Sequence, residues 1–216
     1  MKAFKYVGMV VIFSIHSISE AKVSIMGKAV CTQEQMERYL LSKNPRASKY
    51  ASYIPIYLQE GEKEGVRGDI AFAQSLVETG FFRFGGDVKP KQNNFSGLGA
   101  IGNGQPGHCF KTSLEGIRAQ VQHLKAYGSK QPLRQLCVDP RFQKVLKRGC
   151  GLCVEDLGGL WAYPGYDTKK YKSLKLAKRA HDSYGYHILN HWHAMQKIKS
   201  SKKFPFFRPI LRRKSP

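Results

Sequence analysis

Glu78 is the residue of this chain whose position best suits acid–base chemistry. It follows an apolar stretch in which Ile70, Ala73 and Val77 recur at helical spacing, and Gly80 stands where a left-handed C-cap would end the helix. Burial at the end of such a helix, together with the negative end of the helix dipole, would raise the pKa of the Glu78 carboxyl. Cleavage of a glycosidic bond requires a carboxylic acid that stays protonated near neutral pH.

A structural interpretation of Glu78 stays open beside the catalytic one. In that interpretation Glu78 is a surface residue paired with Arg83 or Lys89, because structural ion pairs are more common than perturbed pKa values. The helix that carries Glu78 is predicted to begin with Asp69 as its N-cap.

Asp87 is the candidate for a second carboxylate. A glycosidase with two carboxylates needs the second one across the groove, about 5 to 10 Å from the first. Asp87 lies in the loop FGGDVKP and is the only acid between Glu78 and Glu115, which a capping-box pattern with Thr112 assigns to helix capping. Two interpretations of Asp87 stay open. In one it acts as a base or as an electrostatic stabiliser, and in the other it is a loop residue paired with Arg83 or Lys89.

The elements that must hold these acids are predicted to be mainly helices. Glu60, Glu62 and Glu64 end one of them and are interpreted as a solvated face rather than as catalysts. The other helices follow from apolar spacing and from Pro and Gly positions: residues 33–41, residues 47–64 with a distortion at Pro55, and residues 168–198 with an interruption at Gly185.

Two patterns suggest a metal site, but neither supplies enough ligands. Cys150 and Cys153 form one C-x-x-C pair with no second pair, and His187 and His191 lie four residues apart without a carboxylate as third ligand. A structural zinc needs four protein ligands and a catalytic zinc three. No metal and no cofactor are therefore expected.

Five segments in order resemble bacterial endo-β-N-acetylglucosaminidases, the glucosaminidase domain of glycoside hydrolase family 73 in the lysozyme-like superfamily. The resemblance spans about residues 47–171. It implies a mainly α (α+β) fold, a lysozyme-like helical domain with a long groove-forming loop or a small hairpin, and it assigns the catalytic acid to Glu78. The segments are AFAQSLVETG, NNFSGLGAIG, GIRAQVQHLKAYGS, VDPRF and LGGLWAYPGYDTKKY.

The resemblance also implies substrate-binding residues along a groove. The amides of the N-N-x-x-G loop would bind sugar hydroxyls or the N-acetyl group, although asparagines also form turns. Aromatic residues near the end of the domain would stack on sugar rings, and core packing is the alternative for them. If Asp87 does not serve, the acetamido oxygen of the substrate would attack in its place. The residues concerned are Asn93, Asn94, Phe95, Gly97, Trp161, Tyr163 and Tyr171.

The sequence predicts four regions. Residues 1–21 read as a signal peptide, because a basic start precedes an apolar run shorter than the ~20 residues of a membrane span. Residues 22–46 form an N-terminal extension, residues 47–196 the glucosaminidase domain, and residues 197–216 a basic, disordered tail. The protein is therefore expected in the periplasm, the cell wall or the extracellular space.

The formal net charge of +21 indicates an anionic partner. Because export is predicted, nucleic acid is not expected, and peptidoglycan glycan strands are, with an anionic wall polymer or a membrane surface as a further partner of the tail. The expected function is hydrolysis of the β-1,4 bond after N-acetylglucosamine in peptidoglycan. The alternatives are a lytic transglycosylase that forms 1,6-anhydro-muramoyl ends and a non-catalytic basic protein that coats the wall.

Overall fold

The fold is built from helices around one buried helix, as the sequence predicted. In the computed structural model, residues 21–102, 104–145 and 147–199 are described, so the segment read as a signal peptide and most of the basic tail lie outside them. The helices are α1 (Gln33–Lys43), α2 (Ser48–Ala51), α3 (Ile54–Glu64), α4 (Gly68–Thr79), α5 (Ser113–Gly128), α6 (Leu174–Arg179) and α7 (Tyr184–Gln196).

A long connection between α4 and α5 contains a small antiparallel hairpin of β1 (Ala100–Gly102) and β2 (Gln105–Pro106). Short 3₁₀ turns at Pro45–Ala47, Pro90–Gln92, Phe142–Lys144 and Val154–Leu157 complete the regular structure of the described residues. The prediction of a mainly α domain with a long loop and a small hairpin is thus confirmed. Within the described part, no helix combines the length and the apolar character needed to cross a membrane.

Helix α4 lies at the centre of the core and packs against α3, α5 and α7. Its residues from Gly68 to Leu76 are all buried, because small and apolar side chains occupy every face of the helix. The helix ends where predicted, since Gly80 takes the left-handed conformation with φ 56°. This burial fixes Glu78, in the last turn, relative to the rest of the fold.

The prediction of Asp69 as the N-cap of α4 is wrong. Arg67 occupies the cap position without a side-chain cap, and Asp69 lies inside the first turn, fully buried. Its Oδ2 accepts hydrogen bonds from other parts of the chain instead. The donors are the N–H groups of Val30, at 2.9 Å, and Cys31, at 3.1 Å, and the indole of Trp192, at 2.8 Å.

The interpretation of the glutamates in α3 as a solvated face is also wrong for two of the three. Glu60 and Glu64 are fully buried, because they lie one helical turn apart on the face that packs against α5. Arg118 donates to Glu60 at 2.7 Å and Lys125 to Glu64 at 2.8 Å. These acids therefore join α3 to α5, and only Glu62 faces solvent.

Candidate active site

A groove of about 390 Å³ opens at the C-terminal end of α4. One wall is the loop after α4, the other is the segment after the 3₁₀ turn Val154–Leu157, and the N-N-x-x-G loop closes the floor beside the helix. The residues that line it include Glu78, Phe84, Asp87, Ser96, Gly97, Trp161 and Tyr163.

Glu78 lies at the floor of this groove and is held by two hydrogen-bond donors. The Tyr184 hydroxyl donates to Glu78 Oε1, and the Trp161 indole also donates to the carboxyl. A Cβ added at Gly97 would lie 3.4 Å from Glu78 Oε2, so the glycine leaves the second oxygen open to the groove.

The ion pairs that the structural interpretation of Glu78 required do not form. Arg83 donates to the carbonyl oxygens of Gly80 and Lys43, and Lys89 Nζ donates to Gly86 at 2.9 Å. Neither cation forms a salt bridge with Glu78. Among the described residues, the carboxyl has neutral hydrogen-bond donors as its neighbours and no salt bridge to a cation.

The surroundings of Glu78 raise the pKa of its carboxyl to about 7, because burial among protein atoms disfavours the charged form. The hydrogen bonds from Tyr184 and Trp161 act in the opposite direction, since they stabilise the carboxylate. Protein atoms crowd the carboxyl on one side, but the residue as a whole is exposed and water reaches it from the groove. Water there opposes part of the rise, and a bound glycan that displaced this water would raise the pKa further.

Tyr184 is a site residue that sequence reasoning missed, because it reads as an apolar position of α7. Its hydroxyl accepts from Gln74 at 3.0 Å and donates its single proton to Glu78. Gln74 in turn accepts from Gln120 at 2.8 Å, so a buried chain of donors runs through α4 and α5 towards Glu78. No local sequence signal shows this contact, since Tyr184 and Glu78 are 106 residues apart.

Asp87 lines the same groove as Glu78 and is half-buried. The structure gives it no hydrogen bond or ion pair with Arg83 or Lys89, the partners of its structural interpretation. Ser96, a second residue that sequence reasoning missed, also lines the groove, and its buried hydroxyl has no partner among the described residues. Both groups are available to a ligand in the groove.

The predicted aromatic residues separate into two groups. Trp161 and Tyr163 line the groove, and Tyr163 is 91 % exposed, so it presents a bare ring to a ligand. Tyr171 does not line the groove, because its hydroxyl donates to Asp182 at 3.0 Å and Lys170 lies over its ring. Substrate contact by Tyr171 stays a prediction that the lining of this groove does not support.

Three of the predicted loop residues lie outside the lining of the groove. Asn94 is buried, and its amide donates to the carbonyls of Leu98 and His108 instead of facing the groove. Asn93 takes the left-handed conformation with φ 51° and donates to Phe110, as a turn residue does. Phe95 is only 1 % exposed and packs in the aromatic core. Gly97 alone of this group lies in the groove.

The described residues contain no group of three or more His, Cys, Asp or Glu side chains placed to hold a metal ion. The five cysteines are unpaired. His187 Nε2 donates to the Asp182 carboxylate at 2.8 Å, while His191 contacts the Tyr39 hydroxyl at 2.9 Å. The two histidines at helical spacing therefore have different protein partners.

Comparison with known proteins places this chain in a family. An uncharacterized protein of Borreliella burgdorferi strain B31 is 44 % identical over 145 residues, which are 66 % of this chain and 71 % of that protein. No solved structure matches the chain. Residues 54–197 match the glucosaminidase family model, described as mannosyl-glycoprotein endo-beta-N-acetylglucosaminidase. The chain thus belongs to the glucosaminidase family of glycoside hydrolases.

Proposed function

We propose that the protein is a peptidoglycan hydrolase that cleaves the β-1,4 bond after N-acetylglucosamine, with Glu78 as general acid. The observation that carries the proposal is the Glu78 carboxyl at the floor of an open groove, with its pKa raised to about 7 and no cation paired with it. A protonated carboxyl in this place can donate its proton to the leaving oxygen as the glycosidic bond breaks.

Tyr184 and Trp161 complete this part of the mechanism. When Glu78 has given its proton to the leaving sugar, the two donors stabilise the carboxylate that remains. The carboxylate can then take a proton from the water that attacks the anomeric carbon, which returns Glu78 to its protonated form. Where the acetamido oxygen of the substrate is the attacking group, Glu78 thus acts first as acid and then as base, whereas with Asp87 as base Glu78 acts only as the acid.

The second catalytic group is either Asp87 or the acetamido group of the substrate. Asp87 lines the groove and forms no salt bridge with a cation in the described part of the chain, so we propose it as base or electrostatic stabiliser of the positive charge that develops on the sugar ring. Asp87→Asn distinguishes the two. Loss of activity supports a direct role, whereas retained activity leaves the acetamido oxygen as the attacking group.

The test of the proposal is the activity of Glu78→Gln on purified sacculi. We expect the variant to fold normally and to lose activity by about 10²–10⁴-fold, the usual contribution of a general acid. Glu62→Gln is the matched control, because it removes a carboxylate that faces solvent on α3 and should keep full activity. Undiminished turnover by Glu78→Gln would remove Glu78 from the mechanism.

Mass spectrometry of the digest separates the proposed reaction from its alternatives. Reducing N-acetylglucosamine ends support it, whereas 1,6-anhydro-muramoyl ends indicate a lytic transglycosylase. A protein that binds sacculi but releases no glycan would be a non-catalytic wall-binding protein.

We further propose that the protein is exported and that its tail contacts an anionic wall polymer or a membrane surface. The basis is the sequence alone: the basic and apolar start and the Lys- and Arg-rich end. N-terminal sequencing of the exported protein tests the first proposal, with Lys22 expected as the new N-terminus. Binding of a chain shortened after Lys197 to anionic vesicles tests the second.

A further inference from the structure

A second, smaller cleft adjoins the groove on the far side of Trp161. Its volume is about 120 Å³, and it shares Gly97, Ala100 and Trp161 with the larger groove. Tyr127 and Arg141 belong to its lining only. A ligand that occupies the groove beside Glu78 therefore reaches this cleft by passing Trp161. The small volume suits a side branch of the ligand better than another sugar ring.

Arg141 is the charged group that this cleft offers to a ligand. Its guanidinium makes no hydrogen bond or ion pair with any described residue. The hydrogen bonds of Arg141 come from the backbone: the N–H donates to Asp139 Oδ1 at 2.8 Å, and the carbonyl accepts from the N–H of Lys144 at 2.8 Å. The carboxylate of Asp139 is buried and its Oδ2 is held by His123 at 2.7 Å. Asp139 therefore does not pair with the guanidinium of Arg141.

The charges around the cleft add to that of Arg141. His108 packs against Gly99, which lines the cleft, and burial lowers the pKa of His108. The positive charges of Arg141 and Lys144 lower it further, and Asp139 opposes them. His108 is thus favoured in its neutral form and adds no charge, and the two cations Arg141 and Lys144 stand against the one carboxylate of Asp139. An anionic ligand would therefore meet a net positive field at this end of the cleft.

We propose that the cleft binds a carboxylate of the peptide stem that substitutes the muramic acid next to the scissile bond. The inference rests on the proposed function, since it assumes a peptidoglycan strand in the groove. Peptide stems carry free carboxylates, and a planar guanidinium binds a carboxylate through two parallel hydrogen bonds. The site would favour strands that bear charged stems over bare or neutral glycan.

The experiment compares two substrates that differ only in charge. One is a solubilised peptidoglycan strand with its native stems, and the other is the same strand after its carboxylates have been converted to carboxamides with carbodiimide and ammonia. We expect wild-type kcat/KM to fall on the order of 10-fold on the amidated strand, the loss of one charged hydrogen-bonded contact. This comparison requires no variant.

Arg141→Gln assigns the preference to the cleft. The variant should lose on the order of 10-fold in kcat/KM on the native strand, keep the wild-type rate on the amidated strand, and melt at the wild-type temperature. Arg141→Lys should recover part of the loss, because it restores the charge without the planar fork. Arg46→Gln, which removes an exposed arginine of the 3₁₀ turn Pro45–Ala47, is the matched control and should behave as wild type on both substrates.

Binding measured in the Glu78→Gln background separates this inference from the proposed function. If wild type cleaves neither strand but Glu78→Gln still binds the native strand more tightly than the amidated one, and adding Arg141→Gln removes that preference, hydrolysis is wrong and the carboxylate site stands. If wild type cleaves both strands at equal rates, or if Arg141→Gln affects both equally, the carboxylate site is wrong and hydrolysis stands.

Discussion

Tyr184 affects how readily Glu78 gives up its proton. Its hydroxyl donates to the Glu78 carboxyl, whose protonated form is favoured by burial. This hydrogen bond favours the carboxylate and so lowers the pKa of Glu78, against the larger effect of burial. Tyr184→Phe removes the donor and keeps the ring. The pKa of Glu78 should rise, and the acid should stay protonated to a higher pH.

We therefore expect the basic limb of the pH–rate profile to move to higher pH in Tyr184→Phe, while the maximal rate falls because the carboxyl is less firmly held. The measurement is kcat/KM on soluble strands between pH 5 and about 9. Tyr39→Phe is the control, since it removes a hydroxyl bonded to His191 in another part of the fold. If the maximal kcat/KM of Tyr184→Phe fell but its basic limb stayed at the wild-type pH, the hydroxyl would have a purely structural role.

The sequence could predict which residue carries the acid but not which neighbours face it. Glu78, Asp87 and Gly97 lie in the groove. Their positions were predictable because short-range sequence signals, such as a helix end and a glycine-rich loop, mark them. The directions of Asn94 and Phe95 depend on the left-handed turns of their loop, which rotate both side chains into the protein. Such turns follow from tertiary contacts, and periodicity does not show them.

At the scale of the elements, helix ends with a local chemical cause were predictable and those with a tertiary cause were not. Thr112 caps α5 through its hydroxyl, at 3.1 Å from the N–H of Glu115, as its pattern predicted. The expected break at Gly185 is wrong: Gly185 lies inside α7, and the helical structure breaks between α6 and α7 instead. A Cβ at Gly185 would lie 2.2 Å from the carbonyl oxygen of Val154, so the glycine permits close packing rather than a turn.

Gly116 permits a similarly close contact, here between α5 and the N-N-x-x-G loop. A Cβ at this position would lie 1.8 Å from the carbonyl oxygen of Asn93, which begins the N-N-x-x-G loop. Gly116→Ala must therefore push the loop away from the helix. We expect a loss of about 1–3 kcal/mol in the free energy of unfolding, the usual cost of overpacking, together with reduced activity.

Chemical denaturation and sacculus hydrolysis measure the two effects of Gly116→Ala. Gly86→Ala is the stability control, because nothing lies within 4 Å of a Cβ added there and its φ needs no glycine. Equal stability of the two variants would show that the loop does not rest on α5 through Gly116. A loss of stability without loss of activity would mean that the groove does not depend on this contact.

At the scale of the whole molecule, the surface is more basic than the composition alone suggests. The chain has 36 Lys and Arg residues against 15 Asp and Glu. Of the acids, Glu60, Glu64, Asp69, Asp139 and Glu155 are buried, whereas Lys125 is the one lysine or arginine buried among the described residues. Folding therefore removes more negative than positive charge from the surface, and an anionic wall should attract the protein over long distances.

This long-range attraction should depend steeply on salt, whereas contacts inside the groove should not. The Debye length falls from about 30 Å at 0.01 M to about 8 Å at 0.15 M, so charges far from the groove lose their effect first. We expect the fraction of Glu78→Gln that sediments with sacculi to fall several-fold over this range. Arg141→Gln removes a single charge from a net +21 and should keep nearly the same salt dependence, although its preference for charged stems is lost. If binding to sacculi did not change with salt, the surface charge would have no part in recognition, and the groove with its adjoining cleft would account for all of the affinity.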